Sequence, residues 1–315
     1  MPMKKHTLVT LLLEQKTIDA MNGIDGYEYR FRKPEEVTAD DLSWAEIIVG
    51  DPTMEQIRMA EHLEWIQTDS AGVDRYRSLD PQIVLSNAYG AYGPGIAEFM
   101  TACILMTDKK LNRYVKAQAD HSWKNLGYGI GIENMKVLSV GMGSIGSEFL
   151  KRMHALGAKC YGVRRSVHEV PEFAEAVYQT SDLKQILPEM DAVALSLPET
   201  PDTIHLFDRE MLSCTKRGSI LMNVGRGTAI DQTALLSFTR QHWFSAVILD
   251  VTEPEPLPKN NPLWNEEDVI ITPHISGRYH NPLNYDRVSA VILENLKHAA
   301  AGEPLKHVID LKKGY

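Results

Sequence analysis

Short apolar runs alternate with helical patterns along the first hundred residues. Leu8–Leu13, Glu28–Phe31, Ile47–Val49, Trp65–Thr68 and Ile83–Leu85 read as strands. Thr38–Trp44 and Thr53–Leu63 read as helices, the second with Thr53 as N-cap and Glu55 in its first turn. Such alternation predicts a parallel sheet with helices on its faces. A longer apolar helix follows, Ile96 to Leu111, reaching toward Gln118. It holds no Gly or Pro and is expected to be a rigid connection between domains, with Lys109-Lys110 as a solvated helix end. After a Gly-rich polar stretch, 123–131, a second series of strands begins: Lys136–Val140, Lys159–Tyr161, Ala192–Ser196, Ile220–Asn223, Ala246–Asp250 and Val269–Thr272. Helices are expected at Ile145–Leu156, Asp182–Leu187, Arg209–Cys214, Asp231–Thr239 and Pro282–Ala301, the last ending at Gly302. The prolines at 254, 256, 258 and 262 mark one structured loop.

Composition narrows the function. The chain has 315 residues, which at roughly 150 per domain suggests two domains. A net charge of −9 argues against nucleic acid or an anionic membrane as the main partner. The run Leu8–Leu13 is too short for a signal sequence or a membrane span. Cys103, Cys160 and Cys214 are odd in number and form no metal-binding pattern, so no metal is expected and reduced thiols in a cytoplasmic protein are.

Gly141-Met142-Gly143-Ser144-Ile145-Gly146 is a GxGxxG between a strand and an amphipathic helix, the setting a dinucleotide site requires. The first Gly allows a tight turn, the second lets backbone approach a pyrophosphate, and the third lets helix and strand pack closely. The helix N-terminus offers its N–H groups to phosphate. The acidic residue expected about 20 positions on, which would accept the adenosine ribose hydroxyls, is absent. Arg164, Arg165 and Ser166 stand there instead, and two guanidiniums suit a 2′-phosphate. The expected cofactor is therefore NADP(H), with NAD(H) as the open alternative.

Three later stretches each follow an apolar strand: Asn223-Val224-Gly225-Arg226-Gly227, the loop from Asp250 through Glu253 and Glu255 to Pro258, and Thr272-Pro273-His274-Ile275-Ser276-Gly277. Ligands of open parallel sheets bind at the carboxyl ends of strands, so a cation, a carboxylate and an imidazole can converge there beside a nicotinamide.

With these motifs the chain resembles the D-isomer-specific 2-hydroxyacid dehydrogenases. The resemblance also rests on Ser70-Ala71-Gly72-Val73-Asp74, on Asn87, Gly90 and Ile96-Ala97-Glu98, on Leu197-Pro198-Glu199-Thr200-Pro201-Asp202-Thr203, and on Pro262-Leu263-Trp264. It covers the chain from about Gln67 onward. It implies two Rossmann/flavodoxin-like, doubly wound parallel-sheet α/β domains with an interdomain cleft: a substrate domain of residues 1–102 plus 287–315, and a dinucleotide domain of residues 103–286. It also implies roles. Arg226 would hold the substrate carboxylate and polarise its 2-oxo group, His274 would exchange the proton, and Glu255 would orient His274. Glu253 is the rival carboxylate. Ala71 and Gly72 would bind the substrate carboxylate through backbone N–H groups. Gly141, Gly143, Ser144 and Ile145 would hold pyrophosphate; Pro198 and Thr203 would line the adenosine side; Val224, Asp250 and Gly277 would stand at the cofactor. The partners implied are a small 2-oxo or 2-hydroxy carboxylate and a second copy of the chain in a homodimer.

Some residues depart from the family pattern. Tyr92 stands where many relatives have Asn, which puts the local substrate pocket in doubt, and Arg164 stands where most carry Asp. Formate dehydrogenases of the superfamily use Gln where Glu255 stands. With no length left for a regulatory domain, D-3-phosphoglycerate dehydrogenase is a second expectation behind a glyoxylate or hydroxypyruvate reductase. A cofactor-sensing corepressor is the alternative of another class. Trp264, Tyr279, Tyr285 and Tyr92 either shape a pocket mouth or simply pack, and His280 reads as a surface histidine.

Overall fold

The computed structural model describes residues 4–166, 169–277 and 282–311. Tyr279 and His280 lie outside the described residues. The chain divides into two compact units, Met1–Tyr92 with Asn281–Tyr315, and Gly93–His280. The division falls ahead of the two helices inside which the expected boundaries, 102/103 and 286/287, were drawn. A helix carries its backbone hydrogen bonds internally, so the boundary between units falls at its end and not within it.

The first unit contains β1 (Lys5–Val9), α1 (Gln15–Asn22), β2 (Tyr27–Phe31), α2 (Ala39–Trp44), β3 (Ile47–Val49), α3 (Met54–Met59), β4 (Trp65–Gln67), β5 (Val84–Ser86) and the C-terminal α10 (Pro282–Ala301). Its five strands are all parallel, in the order β2-β1-β3-β4-β5. Leu8, Ile48, Ile66, Leu85 and Tyr76 form its core. Thr38 and Thr53 cap α2 and α3, each accepting the N–H three residues on. The first strand lies earlier than the apolar run suggested. Its ladder matches Lys5–Val9 to Tyr27–Phe31, and Leu12 is left exposed beyond it. A buried polar chain fastens α10 to the sheet: Asn295 Nδ2 donates to Gln67 Oε1 at 2.7 Å, and Ser86 Oγ donates to the same oxygen at 2.6 Å.

The second unit contains α4 (Gly93–Asp108), α5 (Leu111–Ala119), β6 (Lys136–Val140), α6 (Ser144–Ala155), β7 (Lys159–Val163), β8 (Ala176–Tyr178), α7 (Leu183–Ile186), β9 (Ala192–Leu195), α8 (Arg209–Ser213), β10 (Ile220–Asn223), α9 (Gln232–Thr239), β11 (Ala246–Leu249) and β12 (Val269–Ile271). Its seven parallel strands run β12-β11-β10-β9-β6-β7-β8, so strand order reverses between β6 and β9. Every residue of β9, β10 and β11 is buried, which is why these strands read as continuous apolar runs. Thus both sheets are parallel α/β, as the alternation predicts. The long helix, however, is two helices. Lys110 takes a left-handed φ of 56° and its Nζ donates to Leu126 O at 2.6 Å, so α4 stops at Asp108. Lys109 is the solvated end, paired with Asp108 at 2.9 Å, while Lys110 is tied into the loop.

Burial pushes the thiols of Cys103 and Cys160 up to about 12, whereas Cys214 is half-buried; all are free. Of the three cysteines, a thiol reagent at pH 8 should label Cys214 alone in the native chain and all of them in denaturant. Rapid native labelling of Cys103 or Cys160, read by mass spectrometry, would contradict this packing.

Candidate active site

The reversal between β6 and β9 places the glycine loop at the position where open α/β sheets bind ligands. Gly141 has a φ of 94°, and a Cβ there would stand 2.7 Å from Ser196 O. The hydroxyls of Ser139 and Ser196 both donate to Gly141 O, at 3.0 and 2.8 Å. A Cβ on Gly146 would come within 2.0 Å of that same carbonyl, so α6 packs directly on the turn. Gly143 caps α6 without any side-chain hydrogen bond, leaving the first-turn N–H groups of Ser144, Ile145 and Gly146 with the polarity that suits a phosphate. These cradle features fit a dinucleotide pyrophosphate.

At the end of β7, Arg164 Nε donates back to Met142 O at 3.1 Å, so one guanidinium braces the glycine loop. Arg165 pairs with Asp202 at 2.8 Å, both exposed, and Ser166 is exposed beside it. Thr203 closes its own turn: its hydroxyl donates to Pro198 O at 2.7 Å and accepts from Thr200 N. Val224 is buried, with its N–H on Leu195 O.

Arg226, Glu255 and His274 follow β10, β11 and β12, which are neighbours in the sheet. Asn223 shapes the first loop, accepting from Gly225 N at 3.1 Å and donating to Arg226 O at 2.8 Å. The glycines beside Arg226 are fixed by close approach. A Cβ on Gly225 would meet Leu197 N and O at 2.6 Å, and one on Gly227 would meet Thr252 O at 2.0 Å. Hence the Arg226 loop lies against the loop that carries Glu255.

His274 sits at φ 53°, and its Nδ1 is 2.9 Å from Glu255 Oε2. A carboxylate only accepts, so Nδ1 bears the hydrogen and Nε2 is the ring nitrogen left for chemistry. Glu255 is held in turn by Thr252 N, which donates to Oε1 at 3.2 Å. Glu253 has another partner, His205 Nε2 at 3.0 Å. The two carboxylates that sequence left as rivals therefore each have a histidine. His205 is a residue sequence reasoning missed. Its N–H donates to Thr228 O, so it touches the loop after Arg226 as well as the loop before Glu255.

Asp250 is buried and is the organiser of the His274 loop. Oδ1 accepts from Thr272 Oγ1 at 2.6 Å and Ile275 N at 2.9 Å, Oδ2 accepts from Ser276 N at 3.0 Å, and its carbonyl accepts from His274 N at 2.9 Å. Gly277 closes the described part of this loop. In the first unit, Ala71 is exposed and Gly72 partly so, in the loop after β4. Trp264 Nε1 donates to Pro258 O at 3.0 Å, and Tyr285 Oη accepts from Glu14 N. Among the described residues no group of His, Cys, Asp and Glu is placed to hold a metal ion, and no helix is long and apolar enough to cross a membrane.

The model of the D-isomer specific 2-hydroxyacid dehydrogenase NAD binding domain matches residues 101–276. A glyoxylate reductase of Korarchaeum cryptofilum is 31% identical over 231 residues, 70% of this chain and 67% of that protein. A D-3-phosphoglycerate dehydrogenase of Methanocaldococcus jannaschii is 25% identical over 96% of this chain, which spans 59% of that longer protein. The crystal structure of a D-isomer specific 2-hydroxyacid dehydrogenase family protein from Aeromonas salmonicida superposes with a TM-score of 0.87 at 30% identity, covering 98% of this chain and 99% of the other.

Asp250→Asn should cost about 1.5–3 kcal/mol, because an amide in either orientation turns an NH2 toward donors that now share a carboxylate. Urea unfolding measures it; an unchanged midpoint would mean that the loop is held by other bonds.

Proposed function

The chain belongs to the D-isomer specific 2-hydroxyacid dehydrogenase family and is an NAD(P)-dependent oxidoreductase, and on that footing we propose that it reduces a small 2-oxo acid of the glyoxylate or hydroxypyruvate type to the D-2-hydroxy acid with NADPH as preferred donor. The observation that carries the reading is the His274–Glu255 pair on the loops after β12 and β11, beside the Arg226 loop after β10, at the carboxyl edge of one sheet. Gly141, Gly143, Ser144 and Ile145 would hold the pyrophosphate. Arg164, Arg165 and Ser166 would face the 2′-phosphate, and Pro198, Thr203, Val224, Asp250 and Gly277 would border the rest of the cofactor. When bound, the nicotinamide supplies the hydride in the reductive direction and takes it back in the oxidative one.

Arg226 binds the substrate carboxylate as a charge-assisted pair and polarises the 2-oxo oxygen. Protonated His274 gives its Nε2 proton to that oxygen; in the oxidative direction neutral His274 removes it again. Glu255 keeps the ring in one orientation and one tautomer. Ala71 and Gly72 offer backbone N–H groups to a carboxylate. We also propose a homodimer formed through the second unit, where Leu111, Val115, Trp123 and Tyr128 are exposed apolar side chains, and a cytoplasmic location in keeping with three free thiols.

The deciding assay is NADPH and NADH oxidation with glyoxylate, hydroxypyruvate and 3-phosphohydroxypyruvate. We expect turnover on the first two and a kcat/KM favouring NADPH. Preference for the phosphorylated acid would move the reading to phosphoglycerate dehydrogenase, and tight cofactor binding without turnover on any acid to a sensor. His274→Ala should lower kcat by about 10²- to 10⁴-fold while NADPH affinity stays as in the parent. A parental kcat in that variant would remove His274 from the proton transfer. Arg165→Ala should raise KM for NADPH about tenfold and leave KM for NADH alone; equal effects on both would make Arg165 a mere surface charge.

A further inference from the structure

The loop after β4 uses up its carbonyls and spares its N–H groups. Thr68 O accepts from Gln67 Nε2 at 3.0 Å, Asp69 O from Tyr92 Oη at 2.8 Å, Ser70 O from Ala88 N at 3.1 Å, Ala71 O from Asn87 Nδ2 at 2.8 Å, and Gly72 O from Ser70 Oγ at 2.8 Å. Ser70 N is spent on Thr68 Oγ1 at 3.0 Å, and that hydroxyl is itself anchored on Asp51. By contrast, no acceptor takes the N–H groups of Ala71 and Gly72 among the described residues. A run of backbone whose carbonyls are all turned inward onto donors presents its remaining N–H groups outward as a concave donor for an anion.

Most of these donors are local or come from the start of the loop after β5. Tyr92 is different. It lies at the far end of the 87–92 loop, its ring is buried, and its phenol spans the distance to Asp69 O at the base of the 69–72 turn. We propose that Tyr92 is a positioning residue for substrate: its hydroxyl locks the Asp69–Ser70 peptide at the base of the turn, and so holds in place the backbone from which the Ala71 and Gly72 N–H groups, set by Ala88 N and Asn87 Nδ2 behind them, meet the carboxylate of a 2-oxo acid. The proposal rests on the reading that this chain takes a 2-oxo acid, and it adds a residue that touches neither the substrate nor the reacting atoms.

Tyr92→Phe keeps the buried ring and removes the hydroxyl with its hydrogen bond to Asp69 O. KM for glyoxylate should rise about three- to tenfold, the loss of one well-placed hydrogen bond. The kcat should change by less than about twofold, because the proton-transfer groups are elsewhere, and the Kd for NADPH should not change. Oxalate, which is not reduced, serves as a second probe. Its affinity for the NADPH-loaded chain, measured by calorimetry, should fall by the same factor. Tyr92→Asn, with a shorter side chain, should be weaker still for both acids.

A KM and an oxalate affinity unchanged in Tyr92→Phe would overturn the proposal. So would a fall in kcat together with NADPH affinity and melting temperature, the pattern of a purely structural tyrosine. If the parent chain reduces no 2-oxo acid, the functional reading fails on its own. The oxalate titration then still decides about Tyr92: a Tyr92-dependent affinity supports its role at the anion-binding loop, and oxalate binding that is absent or independent of Tyr92 rejects it.

Discussion

The carboxylate of Asp250 joins what the rest of the second unit keeps apart. Strands β10, β11 and β12 end side by side, but each then leaves the sheet on a loop of its own. The Asp250 side chain accepts from Thr272, Ile275 and Ser276, its carbonyl takes His274 N, and its N–H reaches Asn223 O at 3.0 Å. One buried residue thereby ties the ends of three strands. A buried carboxylate without these donors would be costly, and with them it is a rigid anchor. His274 can sit at a φ of 53°, with its ring on Glu255, because its own backbone is held there.

Close backbone approach is the second constraint, and it works at the glycine loop as well as at the Arg226 loop. The 2.0 Å that a Cβ on Gly227 would leave to Thr252 O and the 2.0 Å that one on Gly146 would leave to Gly141 O say the same thing about two loops. In each, main chain lies on main chain. Arg226 is aimed by its two glycines as much as by its own rotamer.

How far the sequence was legible follows from the range of the forces involved. Strands β9 and β11 are apolar throughout, β10 is apolar up to Asn223, and the glycine loop stands between a strand and a helix, so those could be read locally. The cap residues Thr38 and Thr53 also announce their helices. What was missed depends on distant partners. α1 buries only Thr17 and Met21, one of them polar, and β8 is a three-residue edge strand, so each gives a weak apolar signal. The break after α4 has no Gly or Pro to mark it; it is made by Lys110 reaching Leu126. The Glu253–Glu255 ambiguity was chemical, since two carboxylates two residues apart look alike in a string. The resemblance favours Glu255, which precedes Pro-Leu-Pro, and the separate placement of His205 and His274 gives each carboxylate its own partner.

A net charge of −9 is a poor guide to what such a chain binds. Exposed charges farther apart than about 8 Å are largely screened at physiological ionic strength, so an anion responds to what lies within a few ångströms. In the second unit that neighbourhood is the uncapped start of α6 with Arg164 braced on the glycine loop. In the first it is a pair of N–H groups whose carbonyls have been turned away. Backbone donors bring no formal charge and do not appear in any count of lysines and arginines. They are fixed by the hydrogen bonds behind them, so they meet an anion without the ordering cost of a flexible side chain. An acidic protein can thus recognise a phosphate and a carboxylate with few cations, provided that its loops are held as firmly as these are.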